Sequence, residues 1–298
     1  MAERDLYEKT LEEYNDVFAD IVNGLLFDGE QVVQEENLTD VQPYSTYKAD
    51  GRTHGQERDI AKYWLTAGGS KVNLNIRIAF FGIENQTKYD SRMPLRVIGY
   101  DGAAYRAELE EDKCYPVITI VLYFGNGRWK NRTLYDVMEI PEKLKPYVSD
   151  YRINVFEIAH LPEEAISHFH SDFKIVVDYI VHKRTDPDYR PTDLQRFRHV
   201  DEILKLMSVM TQDRRYEEVL HEERERPENM CEVLDRVEEK GRQEGIKEGR
   251  QEGLEEGTYM TQLKNIRSIM EGLKYTSEQA MDLLKIPAED RQEYASKL

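Results

Sequence analysis

The sequence predicts an α/β core followed by an all-helical C-terminal region. Two runs rich in β-branched and aromatic residues, 115–124 and 153–161, are too short for confident helices and are typical of buried strands. A third run, 75–86, is apolar on both faces in its middle, as expected for an internal strand. Beyond residue 161 the apolar residues recur at helical spacing. We therefore expect an α/β sheet domain with helices appended.

Composition limits the class of protein. The chain has 298 residues, of which 40% are hydrophobic, which is enough for a core and for about two domains. Two cysteines cannot build a disulfide framework, so we expect a reducing, cytoplasmic setting. The start MAERD is charged and no signal-type apolar segment follows it, and no apolar run approaches the ~20 residues of a membrane helix. We expect neither secretion by that route nor a membrane partner.

The net charge of −17 is unevenly distributed along the chain. Residues 1–50 carry 13 acidic and 3 basic side chains, and residues 201–298 carry 24 and 16. Residues 51–200 are close to neutral, with 21 acidic and 22 basic side chains. The distribution leaves a nucleic-acid partner open, although we expect weak non-specific binding because such binding depends on Lys and Arg contacts to phosphates.

Four elements are predicted before residue 115. We expect an amphipathic helix at 11–27, a hairpin of strands at 56–65 and 75–86, and a second helix at 91–110. The segment 68–70, Gly-Gly-Ser, marks the turn of the hairpin. The apolar face of the second helix is predicted to comprise Leu95, Ile98, Tyr105 and Leu109.

We assign residues 1–161 to the α/β core, 162–235 to a helical extension and 236–298 to a helical tail. The tail repeats glycine at every fourth residue from 241 to 257, and each glycine inside a helix costs about 1 kcal/mol relative to alanine. Such a helix either packs closely against another helix or is a partly frayed linker. The closing segment, 276–298, is acidic. We therefore expect it to mediate self-association into a homo-oligomer rather than sequence-specific DNA binding.

Glu84 is the most conspicuous candidate for chemistry. It lies near the end of the predicted internal strand, and a glutamate is rarely buried without a partner. Because strand side chains alternate, Glu84 and Gln86 project on the same side. This is the E-x-Q arrangement of a metal-dependent phosphodiesterase.

A second carboxylate, Asp59, precedes the apolar part of the neighbouring strand. In an antiparallel hairpin it faces Glu84 only if the turn is long and irregular, spanning about 66–74. A tight turn on Gly68-Gly69 would instead place Ile78 opposite Asp59, about 20 Å from Glu84. The sequence leaves both registers open.

In the first register the two acids would suit Mg²⁺, which favours hard oxygen ligands and keeps several waters. Gln86 could orient the attacking water but could not take its proton, because an amide is not a base. Arg96, at the start of the next helix, could contact phosphate oxygens. The alternative is purely structural: Asp59 forms a surface pair with Arg58, and Glu84 pairs with Arg96.

At these residues the chain resembles the recombination-promoting nuclease and transposase-like family, a branch of the PD-(D/E)XK nuclease superfamily. The matching segments are NDVFADIVNGLLFDG (15–29), ERDIAKYW (57–64), FFGIENQT (80–87), RMPLRVIGYDGAAY (92–105) and KEGRQEGLEEG (247–257). The resemblance implies a restriction-endonuclease-like core, with a mixed sheet and flanking helices, and a variable helical C-terminal region. It also implies Mg²⁺-dependent DNA cleavage, with Mn²⁺ as an alternative ion, linked to recombination or mobile elements.

Carried over by position, the resemblance assigns the metal to Asp59 and Glu84 and places Gln86 where lysine is usual. Without that lysine the site lacks the cation that would steady the attacking hydroxide and the phosphate. Lys62 or Lys88 could substitute for it.

Two hypotheses follow from the sequence. The first is a cytoplasmic, Mg²⁺-dependent DNA endonuclease in which Asp59 and Glu84 hold the metal, Gln86 positions water and Arg96 contacts phosphate. Asp16, on the entry helix, is a further acidic candidate under this hypothesis. The second is a catalytically silent relative that binds DNA or a protein partner and oligomerises through its helical tail.

Overall fold

A five-stranded mixed sheet forms the centre of the first of two structural units, Met1–Leu234. Its strands are β1 Leu38–Asp40, β4 Ile60–Ala67, β5 Asn75–Gln86, β6 Val117–Tyr123 and β7 Asn154–Glu157. They are ordered β1-β4-β5-β6-β7, with antiparallel pairing from β1 to β5 and parallel pairing from β5 to β7. A separate antiparallel hairpin comprises β2 Tyr44–Ala49 and β3 Arg52–Glu57.

The computed structural model describes residues 3–41, 44–49, 52–67, 75–109 and 113–298, so the predicted turn at 68–70 lies outside the described residues. The α-helices are α1 Glu3–Glu12, α2 Asn15–Leu26, α3 Met93–Ala107, α4 Phe173–Lys183, α5 Val200–Thr211, α6 Arg215–Glu218, α7 Met230–Leu273, α8 Ser277–Leu283 and α9 Arg291–Ala295. The predicted fold class, a mixed sheet with flanking helices followed by a helical region, is confirmed.

The first helical segment differs from its prediction. The chain forms two helices, α1 and α2, where the periodicity predicted one helix over 11–27. They are separated at Tyr14, whose backbone is extended, with φ −66° and ψ 134°. The Tyr14 ring stacks on the ring of His199 at a centroid distance of 3.7 Å. This long-range contact accompanies the break, and it could not be read from the local sequence.

The strand predicted at 56–65 is also interrupted, because β3 ends at Glu57 and β4 begins at Ile60. The two residues between them, Arg58 and Asp59, belong to neither strand. The break allows Arg58 to be buried while Asp59 stays partly exposed.

The predicted apolar face of α3 is wrong. Leu95, Tyr105 and Leu109 are all more than 40% exposed. The face that packs on β6 and its neighbours instead carries Met93 and Val97, which join a core cluster completed by Val121, Tyr123, Trp129, Ile153 and Val155. The helix has apolar residues on more than one side, so periodicity alone did not select the side that faces the sheet.

The helical extension belongs to the same unit as the sheet. Asp20 of α2 accepts hydrogen bonds from the backbone N–H groups of His170 and Ser171, each at 2.8 Å, directly before α4. The helical spacing predicted beyond residue 161 agrees with α4 and α5. These contacts fasten the extension to the N-terminal helices.

The second unit, Asp235–Leu298, contains most of α7 together with α8 and α9. The helix continues through the glycine repeat, and a Cβ added at Gly245, Gly249, Gly253 or Gly257 would meet no atom within 4 Å. Packing comes later in the unit, from a cluster that comprises Leu263, Ile266, Ala280, Met281, Ile286 and Tyr294. A capping box of Thr276 and Gln279 lies at the start of α8.

Within the described residues, no helix combines the length and the apolarity that crossing a membrane requires.

Candidate active site

The register of β4 and β5 brings the two predicted acids to the same point of the sheet. Ile60 pairs with Ile83, so Asp59, one residue before the pair, stands opposite Glu84, one residue after it. The register shifts only farther along, between Trp64 and Leu65. The long-turn register is therefore confirmed, and the tight-turn alternative is wrong.

Asp59 is held at this point by contacts with both of its carboxylate oxygens. The backbone N–H of Asn85 donates to Oδ2 at 2.7 Å, and the ammonium of Lys9 lies 2.6 Å from Oδ1. The side chain of Asp59 is 18% exposed, so it borders solvent. The backbone of β5 and a lysine of α1 thus orient the carboxylate at the rim of the sheet.

Glu84 is almost fully buried, with 1% exposure. Its Oε2 lies 3.3 Å from Nη2 of Arg96, and its Oε1 has no hydrogen-bond partner among the residues that the structure describes. Burial and, next, the negative charge of Asp59 raise the pKa of Glu84 to about 8, against smaller opposing effects of Arg96 and Arg58. Without an added cation, the carboxyl group is largely protonated at neutral pH.

A third acid, Glu12 of α1, joins this end of β5. It is fully buried, and its Oε2 accepts a hydrogen bond from the side-chain amide of Asn85 at 2.6 Å. Burial, then the charge of Glu8 and also that of Asp59, raise the pKa of Glu12 well above its ordinary value. Within the described part of the chain, Glu12 Oε1 and Asn85 Oδ1 have no hydrogen-bond partner.

Sequence reasoning missed Glu12. The available signal was the spacing of Glu8 and Glu12, one helical turn apart and next to the buried Leu11. The first 50 residues contain 13 acidic side chains, and a segment with so many charges usually indicates a solvent-exposed surface. The spacing of Glu8 and Glu12 therefore did not stand out.

Arg58 lies beneath the site and does not pair with Asp59. It is 4% exposed and donates from Nη2 to Asp101 Oδ1 at 2.6 Å. A Cβ at Gly82 would stand 3.0 Å from both Cδ and Nη1 of Arg58. Glycine at position 82 therefore leaves the space in which the Arg58 side chain passes over the strand. Because Arg58 pairs with Asp101 and not with Asp59, the surface-pair alternative for Asp59 is wrong.

Arg96 and Gln86 flank Glu84. Arg96 is 41% exposed and contacts the hydroxyl of Tyr100 at 3.2 Å as well as Glu84. The structure therefore shows the pairing of Glu84 with Arg96 that the structural alternative predicted. The carbonyl of Gln86 accepts a hydrogen bond from the N–H of Phe124 at 2.9 Å, and the Gln86 side chain is half-buried at the strand end.

The other basic and acidic candidates lie in different places. Lys62 is buried in contacts with β1 and with the start of α2. Asp16 pairs with His199, with Oδ1 2.9 Å from Nε2. Lys88 is exposed, two residues beyond the end of β5. The lysine that the structure brings to the acids is Lys9, which sequence reasoning did not single out.

The oxygen atoms at the strand end are of the kinds that a hard cation accepts. Three buried oxygens, from Glu12, Glu84 and Asn85, have no donor among the described residues, and carboxylate and amide oxygens are ligands that Mg²⁺ accepts. In the described part of the chain, no group of three or more His, Cys, Asp or Glu side chains stands ready to hold a metal. Magnesium is commonly bound through only one or two carboxylates, with water and substrate oxygens completing its shell, so Asp59 and Glu84 fit such an ion.

Comparisons with known proteins give one match. Residues 73–210 match the family model described as "Putative transposase, YhgA-like", a segment that includes β5, Glu84, Gln86 and Arg96. No curated protein matches the chain, and no solved structure matches it. The match over residues 73–210, 138 of the 298 residues, supports the resemblance to a transposase-like family that the sequence motifs predicted.

Proposed function

We propose that this protein is a Mg²⁺-dependent DNA endonuclease that hydrolyses phosphodiester bonds at the end of β5. The observation that supports the proposal most strongly is Glu84 Oε1, a buried carboxylate oxygen that meets no hydrogen-bond donor in the described ranges, on a residue that stands opposite a second carboxylate. A structural acid would be expected to have its hydrogen bonds satisfied by the fold. The match of residues 73–210 to a transposase-like family model agrees with DNA as the substrate.

In this proposal Asp59 and Glu84 hold the metal, which would lower the pKa of a bound water and offset charge on the phosphate. Glu84 has to lose its proton before it can act as a ligand, because its pKa is about 8. Arg96 has to leave Glu84, and its 41% exposure allows the guanidinium to turn toward a phosphate oxygen.

Hydrolysis adds water to phosphorus and breaks one P–O bond, so the attacking water loses a proton and the leaving alkoxide gains one. Gln86 orients the water through its amide, which cannot take the proton. Lys9, 2.6 Å from Asp59, supplies the positive charge that lysine would provide at position 86. Its place on α1 explains how the site keeps a cation although the usual lysine position holds glutamine.

A specific observation also favours the second hypothesis, a catalytically silent relative that binds DNA or a protein partner and self-associates through its tail. Each of the two facing acids already contacts a basic side chain, Asp59 with Lys9 and Glu84 with Arg96. If these pairs persist in the presence of Mg²⁺, the acids serve the fold and no metal binds between them.

The two hypotheses are separated by metal-dependent nicking of supercoiled DNA. We expect the wild type to nick in Mg²⁺ or Mn²⁺ and to stop in EDTA. Glu84→Gln keeps the shape of the side chain and removes its charge, and it should lower the nicking rate at least about 100-fold, because the metal loses a ligand.

Glu139→Gln is the matched control, since it removes the charge of an exposed glutamate outside the site and should leave nicking unchanged. Equal background nicking by the wild type and Glu84→Gln across both metal ions would reject the nuclease and support the silent relative.

A further inference from the structure

The edge of the sheet where β5 and β6 end carries positive charge. The two strands are parallel, with Gln86 paired to Tyr123, so the segments that follow them, 87–92 and 125–132, leave the sheet side by side. In a chain whose net charge is −17, these two segments contain five basic side chains and one acidic side chain. The basic ones are Lys88, Arg92, Arg128, Lys130 and Arg132, and the acidic one is Asp90.

Aromatic packing holds the two segments together. Trp129, which is 5% exposed, packs edge-to-face on Tyr89 and Tyr123, with ring centroids at 5.1 and 5.0 Å. The side-chain amide of Asn131 donates to the carbonyl of Ser91 at 3.2 Å. The segment after β6 is therefore fixed against the segment after β5, and the basic residues of both occupy defined positions.

Burial of Trp129 leaves the residues on either side of it at the surface. Arg128 precedes it and Lys130 follows it, and both are exposed. In the segment after β5, Lys88 and Arg92 are exposed as well. These four residues, Lys88, Arg92, Arg128 and Lys130, form a basic surface.

The acids near the basic surface are mostly engaged by other cations. Glu157 lies 3.7 Å from Arg128 but only 2.8 Å from Arg132, and Asp90 pairs with Arg96 at 3.3 Å. Within the described ranges, the other three members of the basic surface have no ion pair. Their charges are therefore available to an anionic partner.

The basic surface borders the candidate active site. Lys88 follows Glu84 by four residues, a stretch of chain that spans at most about 14 Å. On the other side, Arg92 lies one helical turn before Arg96, whose N–H donates to the Arg92 carbonyl at 3.3 Å. Because Arg96 contacts Glu84, both ends of this segment are close to the acids.

We propose that the basic surface binds the phosphate backbone of duplex DNA beside the bond to be cut. The proposal rests on the proposed nuclease function, and it names the residues that hold the substrate. Duplex DNA carries one negative charge per ~1.7 Å of helix axis, so cations spread over two segments meet successive phosphates whatever the base sequence. Such contacts position the DNA without selecting a sequence.

The test compares two double variants of the full-length protein. Arg128→Ala with Lys130→Ala removes two cations of the basic surface. Arg106→Ala with Lys113→Ala is the matched control, since it removes one exposed arginine and one exposed lysine at the opposite edge of the sheet, where α3 ends and β6 begins.

Fluorescence anisotropy measures binding of a fluorescein-labelled blunt duplex at low and then at rising salt, in EDTA so that no cleavage occurs. The surface double variant should bind about tenfold more weakly than the wild type at low salt, and its slope of log affinity against log salt should fall by about two units. Lys88→Ala, in the other segment, should lower the slope by about one unit. The control should bind within about twofold of the wild type.

Equal losses in the surface variant and the control would overturn the proposal, because they would report only the net charge of the protein. An unchanged affinity and slope in the surface variant would overturn it as well.

The nicking assay keeps the two proposals separate. If the wild type does not nick DNA but the surface variant shows the expected loss of binding, the basic surface stands and the nuclease is rejected. If the wild type nicks with metal and the surface variant binds DNA like the wild type, the nuclease stands and the basic surface is rejected.

Discussion

Two buried carboxylates in the first unit have opposite surroundings. Asp20, on α2, is 4% exposed, and it accepts hydrogen bonds from the backbone N–H groups of His170 and Ser171 and from the Ser171 hydroxyl, at 2.6–2.9 Å. Glu84, on β5, is 1% exposed, and its side chain has one hydrogen-bonding contact within the described segments, at 3.3 Å with Arg96. Burial raises the pKa of both groups, but only for Asp20 do several hydrogen bonds work in the opposite direction.

The comparison distinguishes two kinds of buried acid. Asp20 stabilises the fold through its hydrogen bonds, whereas the described surroundings of Glu84 do not satisfy its hydrogen-bonding capacity. The donors around Asp20 belong to the segment before α4, so its carboxylate joins the N-terminal helices to the helical extension. Among the described residues, Glu84 Oε1 accepts no hydrogen bond. The burial of this carboxylate is therefore unfavourable unless a cation or a substrate group binds to it. Buried acids with unsatisfied oxygens are therefore stronger functional candidates than buried acids as such.

The largest effect should come from removing the satisfied acid. Asp20→Ala leaves two buried N–H groups without an acceptor, so we expect the free energy of unfolding of the first unit to fall by about 2–4 kcal/mol. Urea denaturation of the wild type and the variant measures the change. A loss below about 0.5 kcal/mol would mean that the contacts of Asp20 are not what stabilises this junction.

The next effect concerns the pH dependence of stability at Glu84. Because its pKa is raised to about 8 in the folded protein, the folded state keeps a proton that the unfolded state releases above its ordinary pKa of 4.5. The free energy of unfolding should therefore fall as the pH rises from about 4.5 to 8 and should level off above that.

Glu84→Gln cannot ionise, and without metal it should be more stable than the wild type above pH 8, with little difference near pH 4. Denaturation of both proteins in EDTA across this pH range measures the difference. Parallel stability curves would show that Glu84 is ionised in the fold at neutral pH, as a carboxylate paired with Arg96 would be.

The smallest effect tests the lysine at the site. Lys9→Ala removes the ammonium beside Asp59 and should lower metal-dependent nicking about tenfold, a change of ~1.4 kcal/mol in the barrier. Adding Gln86→Lys to Lys9→Ala places lysine at the usual family position and should recover most of that loss. If the double variant stays as slow as Lys9→Ala, Lys9 acts by orienting Asp59 and not by supplying charge to the phosphate.

Much of the sheet could be predicted from the sequence, because its strands are short, apolar and rich in β-branched residues. The strand 75–86 has the predicted bounds, and 115–124 contains β6. Packing decided what periodicity could not: the side of α3 that faces the sheet, and the break between α1 and α2 where Tyr14 stacks on His199.

Part of the candidate site could also be predicted from local sequence patterns. Glu84 was conspicuous as a charge in an apolar strand, and side-chain alternation connected it with Gln86. Glu12 and Lys9 were hidden, because they belong to an acidic, charged segment that resembles solvated surface until tertiary contacts bury it.

The sequence by itself determined the chemical character of this protein: the α/β core, the helical tail, the resemblance to a transposase-like family, and an acid near the end of a central strand. These follow from local patterns of apolar and charged residues, which act over a few positions of the chain. Only the tertiary structure decided that Asp59 faces Glu84, that Glu12 and Lys9 join them, and that Arg58 lies beneath them with Asp101. The pairing register and the docking of α1 depend on contacts between distant residues, which the folded chain alone brings together.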